Sequence, residues 1–286
     1  MKKSIFKYSA IFLIAFTFTS CVTTTNENNK WTFDPEDGLY IQWDSESSLA
    51  DEMTHHAMEH MYNVENEKSY TFFEKSLEYD STLFGPHVVL AGFSLSGSEI
   101  QNMHIKQAKF NSSDKNETSK LFVSLLDLPQ SNNWPLAGEG SHDIWKKMRT
   151  VEPKGKLIHY YYAFTFPEIS DRIFEMEKLL AELENNEGSL ESLSTSGNHK
   201  FMIAPVINSL GYFYYAIGEK AKAKDHFDRY LTLYPSGYNS YDSMGEYYFN
   251  EGDLDTALTY YNKAIELYPP AVSANSMIVE INELRK

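Results

Sequence analysis

The residues whose types and spacing can do chemistry sit close together near residue 55. His56-Ala57-Met58-Glu59-His60 is a formal H-x-x-E-H. On a helix His56 and His60 stand four apart and share a face, where two imidazoles can hold zinc with Glu59 as general base. A hydrolase built this way also needs a third ligand, an open metal position and a substrate cleft. The sequence offers no obvious supplier of these. Ser112 and Lys115 form a Ser-x-x-Lys, but in a polar stretch without partner motifs. There is no G-x-S-x-G, no phosphate-cradling glycine loop and no nucleotide fingerprint. Cys21 is the one cysteine, so neither an internal disulfide nor a Cys-ligated zinc site is possible. The expectation is a protein with no catalytic residues, no metal and no cofactor, in which His56 and His60 serve packing or surface roles. A zinc-dependent hydrolase using His56, Glu59 and His60 is the remote alternative.

The elements that position these residues must come from 286 residues, 42% of them hydrophobic, which suffices for a real core. Tyr (20) and Phe (18) are unusually frequent. The net charge is −15, and Lys2, Lys3 and Lys7 lie in the first 20 residues. Without them 22 basic residues face 40 acidic ones, a net −18. Nucleic acid and anionic membrane surfaces need a basic face and are disfavoured as partners. A basic partner or a cation suits the charge.

Residues 1–20 have a basic start, an apolar run over about 8–18 and small residues before Cys21. That is the pattern of a secretory signal, too short for a comfortable membrane span. Phe18-Thr19-Ser20-Cys21 resembles a bacterial lipobox, with Phe18 where Leu is usual. The resemblance implies that Ser20 is the last residue removed and that Cys21 carries lipid. Burying acyl chains contributes about 0.8 kcal/mol per CH₂, so two or more hold a protein at a bilayer. The expected location is the bacterial envelope, lipid-anchored in the outer membrane, on either its periplasmic or its surface face. Residues 21–44 are expected to be the lipidated cysteine and a flexible tether, with the aromatics of 31–43 either extending it or packing on the first helix.

A repeat of 34 residues runs through the C-terminal part. Ile207, Leu210, Gly211, Tyr214, Ala223, Phe227 and Pro235 recur as Tyr241, Met244, Gly245, Tyr248, Ala257, Tyr261 and Pro269. Gly218 recurs as Gly252, and Tyr230 against Ala264 is the one mismatch. Gly and Ala let helices approach closely, the rings fill the space between them, and Pro ends each unit. The pattern resembles the tetratricopeptide repeat (TPR). The resemblance implies an all-α fold: a right-handed superhelix of antiparallel helix pairs over 45–286, clearest at 203–236 and 237–270. Val272, Met277, Ile278, Ile281 and Leu284 have amphipathic spacing and predict a capping helix over 271–286.

A further unit is expected near the start, with 73–80 as its second helix and Ala57 at the small-residue position of its first. His56 and His60 then fall at neighbouring core-type positions. Another first helix follows at 87–95, with Leu90-Ala91 in place of Leu-Gly, after which the register decays and Gln107 stands where Phe belongs. Residues 116–126, 140–149 and 169–183 read as helices. Residues 155–164 read as the partner of 169–183, and 185–198 as a loop.

In such arrays the concave face is lined by first-helix positions outside the core. Carried over, these are Asn208, Tyr212 and Tyr215, then Asp242, Glu246 and Phe249, with Ser276 and Glu280 continuing the row. Amides, rings and acids in a row suit an extended peptide carrying Lys or Arg. The two resemblances together imply an envelope-anchored scaffold that binds a protein or peptide, a basic one suiting the charge. The alternative is a small-ligand or glycan-binding lipoprotein using the Tyr-rich face.

Overall fold

The computed structural model describes residues 41–129, 135–187 and 203–286. The expected signal segment, Cys21 and most of the expected tether lie outside the described residues, as does most of the expected loop over 185–198. The fold is all-α, with no strand among the described residues. The described residues form thirteen α-helices, beginning with α1 (Ser48–Tyr62), α2 (Asn66–Tyr79), α3 (Phe84–Phe93), α4 (Glu99–Asn111), α5 (Glu117–Ser124), α6 (Ser141–Val151), α7 (Lys156–Phe164) and α8 (Ile169–Glu187). The C-terminal five are α9 (Ile203–Ala216), α10 (Lys220–Leu233), α11 (Tyr238–Asn250), α12 (Leu254–Leu267) and α13 (Val272–Leu284). Consecutive helices pack as pairs, and α13 closes the array against α12. This is the expected solenoid. None of the described helices is long and apolar enough to cross a membrane.

The repeat glycines act as the sequence predicts. A Cβ on Gly211 would sit 2.7 Å from the Phe227 ring, and one on Gly245 would sit 2.9 Å from Tyr261. Only glycine lets these rings cross the first helix so closely. Gly218 (φ 86°) and Gly252 (φ 82°) turn the chain between helices in the left-handed region. Each turn is closed by a six-residue hydrogen bond: Glu219 N–H to Tyr214 C=O and Asp253 N–H to Tyr248 C=O, both 2.9 Å.

The α1–α2 pair is built to the same plan. Glu65 N–H donates to His60 C=O at 2.8 Å, and Ala57 and Phe73 are fully buried. Its left-handed position holds Val64, at φ 58°, where the other two turns have glycine. A β-branched residue there is strained.

Four expectations change in detail. Ile41 and Trp43 belong to the core and not to a tether: Trp43 lies against Gly85, Phe73 and Phe122. Gln42 fastens this segment, its N–H donating to Ser119 Oγ (3.0 Å) and its Oε1 accepting from Asn116 N–H (2.7 Å). Residues 185–187 are the last turn of α8. On α13 the buried residues are Ala274 and Ile281, with Met277 and Ile278 partly covered. Val272 and Leu284 are exposed, because α12 covers only one side of this terminal helix. Finally, His55 is the buried histidine of α1, while His56 and His60 are half-buried over the Phe72 ring. The main packing partner of α1 is α2, so positions that are deep core in an internal repeat stay partly open here.

The register decays where expected. The outer side of α4 exposes Ile100, Met103 and Phe110. Its inner side is joined to α3 by a buried histidine pair, His87 Nδ1 to His104 Nδ1 at 2.8 Å. His87 Nε2 lies 3.3 Å from the Ser81 carbonyl. If that nitrogen carries the proton, His104 donates across the pair. Burial pushes both pKa values down, that of His104 to about 4.

Candidate functional site

The H-x-x-E-H motif is engaged in local bonds. His60 Nδ1 lies 2.7 Å from Glu65 Oε2, and His56 Nδ1 lies 3.6 Å from Glu59 Oε2. Both rings rest on Phe72 at 5.3 and 5.4 Å between centroids. Among the described residues no group of three or more His, Cys, Asp or Glu is placed to hold a metal ion. The arrangement holds the α1–α2 turn together.

The predicted concave row is the more informative place. Asn208 and Asp242 are 34 residues apart and occupy the same position of consecutive repeats, as do Tyr212 and Glu246 one helical turn further on. Asn208 and Asp242 stand one turn before Tyr212 and Glu246 on the same two helices. Tyr212 donates its hydroxyl to Glu246 Oε2 at 2.8 Å, linking α9 to α11. Ser273 of α13 donates to Asp242 Oδ2 at 3.0 Å. Asp242 Oδ1 and Asn208 Oδ1 are buried and have no hydrogen-bond partner. Both residues are 6% exposed, deeper than a simple groove-lining role predicts.

Burial raises the pKa of Asp242 to about 7, against the Ser273 bond, with Glu246 and Glu67 adding to the rise. Burial raises Glu246 as well, opposed by the Tyr212 bond. Tyr215 and Phe249, three residues further along the same helices, make contacts of their own. Tyr215 donates to Glu251 at 2.8 Å, and burial together with that carboxylate pushes its phenol to about 12. Phe249 packs into the C-terminal apolar cluster. Ser276 donates to Val272 C=O of its own helix, and Glu280 is exposed.

Residues from the far end of the chain complete the site. The α1–α2 turn docks beside the first turns of α11 and α13. Glu65 Oε1 accepts from Tyr238 N–H at 3.1 Å, and Glu67 Oε1 accepts from Val272 N–H at 3.0 Å. Each carboxylate thus caps a helix N-terminus, where unpaired N–H groups favour negative charge. Tyr238 donates its hydroxyl to Glu67. Lys68 lies 5.2 and 5.0 Å from the Tyr238 and Tyr268 ring centroids and 3.1 Å from Glu65 Oε2. Tyr230 donates to Asn63 C=O at 2.8 Å and accepts from Asn239 Nδ2 at 3.2 Å. Sequence reasoning did not find these contacts. The one signal was the mismatch of Tyr230 with Ala264: Tyr230 is where the distant turn is held.

The site is therefore an acid- and tyrosine-rich cluster drawn from α9, α11, α13 and the α1–α2 turn. It offers hydrogen-bond acceptors and carboxylates. Family models for the tetratricopeptide repeat match residues 209–237 and 238–271. No curated protein matches the chain. The matched stretches run from the middle of α9 to the turn after α12, so residues 209–271 are two tandem tetratricopeptide repeats, the kind of helical unit on which protein-interaction scaffolds are built.

Proposed function

We propose that this protein is an envelope-anchored scaffold that binds a protein or peptide on the concave side of its C-terminal repeats. The observation that carries the reading is the row Asn208, Tyr212, Asp242 and Glu246, repeated in phase on two consecutive first helices and facing inward. Its acidic character selects a partner with basic residues, in keeping with the net charge of −15. In this reading Cys21 carries the lipid after removal of residues 1–20, and the anchor holds the array at the outer membrane.

Two measurements test the two halves. Affinity capture from envelope extracts should recover a specific partner, lost when Tyr212→Ala is combined with Glu246→Lys. Failure to recover one under several extraction conditions contradicts the scaffold. Mass spectrometry of the mature N-terminus should show an acylated Cys21, and Cys21→Ala should release the protein from membranes. An unmodified residue 21 contradicts the anchor alone.

A further inference from the structure

We propose that the open face of α4, carrying Ile100, Met103 and Phe110, is a second membrane contact. In the anchored protein it lies in the headgroup–acyl boundary of the same phospholipid bilayer that holds the lipid on Cys21. The proposal rests on the anchor reading and adds a docking surface to it.

The packing of α4 leaves this face open. Gln101, His104 and Ala108 are buried, and the main packing partner of α4 is α3, because α5 goes on to pair with α6. At 3.6 residues per turn Ile100, Met103 and Phe110 share an arc of roughly 80°. All three are exposed, Phe110 at 75%. Single exposed apolar residues are ordinary on a protein surface, whereas three in register on one helix mark an interaction face. Within the same arc Gln107 is half-buried, and Lys106 borders it.

The place where the anchor chain joins the array says what covers this face. Trp43 is buried in the core, and Gln42 beside it is bonded to Asn116 N–H and Ser119 Oγ. Asn116 follows the end of α4 by only five residues. The chain arriving from Cys21 therefore enters the array within roughly 30 Å of Phe110, since six extended residues and one side-chain contact span no more. The residues between Cys21 and Ile41 reach at most about 70 Å, which confines α4 to a thin layer over the bilayer. A patch too weak to hold a membrane from free solution binds once such a leash fixes its local concentration.

Charge permits the contact. Over residues 99–120 Lys106, Lys109, Lys115 and Lys120 outnumber Glu99, Asp114 and Glu117, although the chain as a whole carries −15. Lys109 is paired with Asp127. The driving force is apolar insertion, and the local balance spares it the repulsion that the rest of this acidic protein meets at an anionic headgroup layer.

The test uses the mature acylated protein in vesicles of three parts phosphatidylethanolamine to one part phosphatidylglycerol. Cys21 is the only cysteine, and in the anchor reading its sulfur is taken by lipid. A cysteine introduced on α4 then carries a polarity-sensitive fluorophore alone. Probes in Met103→Cys and Phe110→Cys should emit in the blue and be quenched by doxyl-labelled phospholipid. Iodide should quench them roughly threefold less than the probe in Asn102→Cys, on the polar edge of the same helix. Ile100→Glu combined with Met103→Glu should return the Phe110→Cys probe to water while the protein still sediments with the vesicles. Should that double variant fail to fold, the single-cysteine probes decide the question. A probe at position 110 open to iodide, in protein that sediments with the vesicles, overturns the contact and leaves the anchor standing. Shielding from iodide without doxyl quenching also overturns it, since a protein surface or a second copy then covers α4. A chain without lipid on Cys21 overturns both readings.

Discussion

Replacing Tyr230 by Phe removes one oxygen from the contact that joins the two ends of the array. The hydroxyl is buried, donates to Asn63 C=O at 2.8 Å and accepts from Asn239 Nδ2 at 3.2 Å. Its loss leaves a buried carbonyl and a buried amide N–H with one partner fewer. Each group stranded in the interior costs about 1–3 kcal/mol. Partial relaxation of Asn239 brings the expected total to about 2–3 kcal/mol. For a body of this size that corresponds to a fall in Tm of roughly 4–10 °C. Tyr241→Phe is the control, because its hydroxyl bonds Pro235 C=O in an exposed place, and should cost under about 0.5 kcal/mol. Denaturant unfolding gives the free energies. Amide exchange adds location: protection of Val64 and Glu65 should fall in Tyr230→Phe before that of the α3–α8 helices. A stability equal to wild type, with exchange at residues 63–68 unchanged, refutes the idea that the α1–α2 turn is held by the C-terminal repeats.

Three further outcomes follow from named contacts. Val64→Gly relieves a left-handed β-branched residue and should stabilise the protein by about 0.5–1 kcal/mol in denaturant unfolding, after the entropy cost of glycine in the unfolded chain. Gly211→Ala forces a methyl to 2.7 Å from the buried Phe227 ring and should cost about 1–3 kcal/mol despite alanine's better helix propensity. His104 has its pKa lowered to about 4 by burial, so the unfolded chain binds the extra proton between pH 6.5 and 4. Its stabilising contribution is complete above pH 6.5 and is lost as pH falls through that window. His104→Gln should therefore flatten the acid limb of a pH–stability curve, and an unchanged limb excludes His104 as its source.

The sequence made the helical class and the C-terminal repeats legible because their signals are local. Gly211, Gly245, Phe227 and Tyr261 announce themselves at a fixed spacing, and each does in the structure what its size predicts. The start of the array was legible through Ala57 and Phe73, but not Val64, since valine is a poor sign of a left-handed turn. Trp43 was ambiguous because its partners, Phe73, Gly85 and Phe122, are brought to it only by tertiary packing. The same limit applies to the site. Asn208, Tyr212, Asp242 and Glu246 were readable from the period. Their depth depends on α13 and on Glu65 and Glu67, which arrive from some 170 residues away in the chain.

Photo-cross-linking in intact cells tests the central claim most directly. A photoreactive amino acid is placed at Tyr215 or Phe249, beside the concave row, and in parallel at Lys263, half-buried on α12. The account predicts one discrete protein adduct from the first two positions and none from the third. No adduct at either, or the same adducts from Lys263, contradicts a partner-binding concave face.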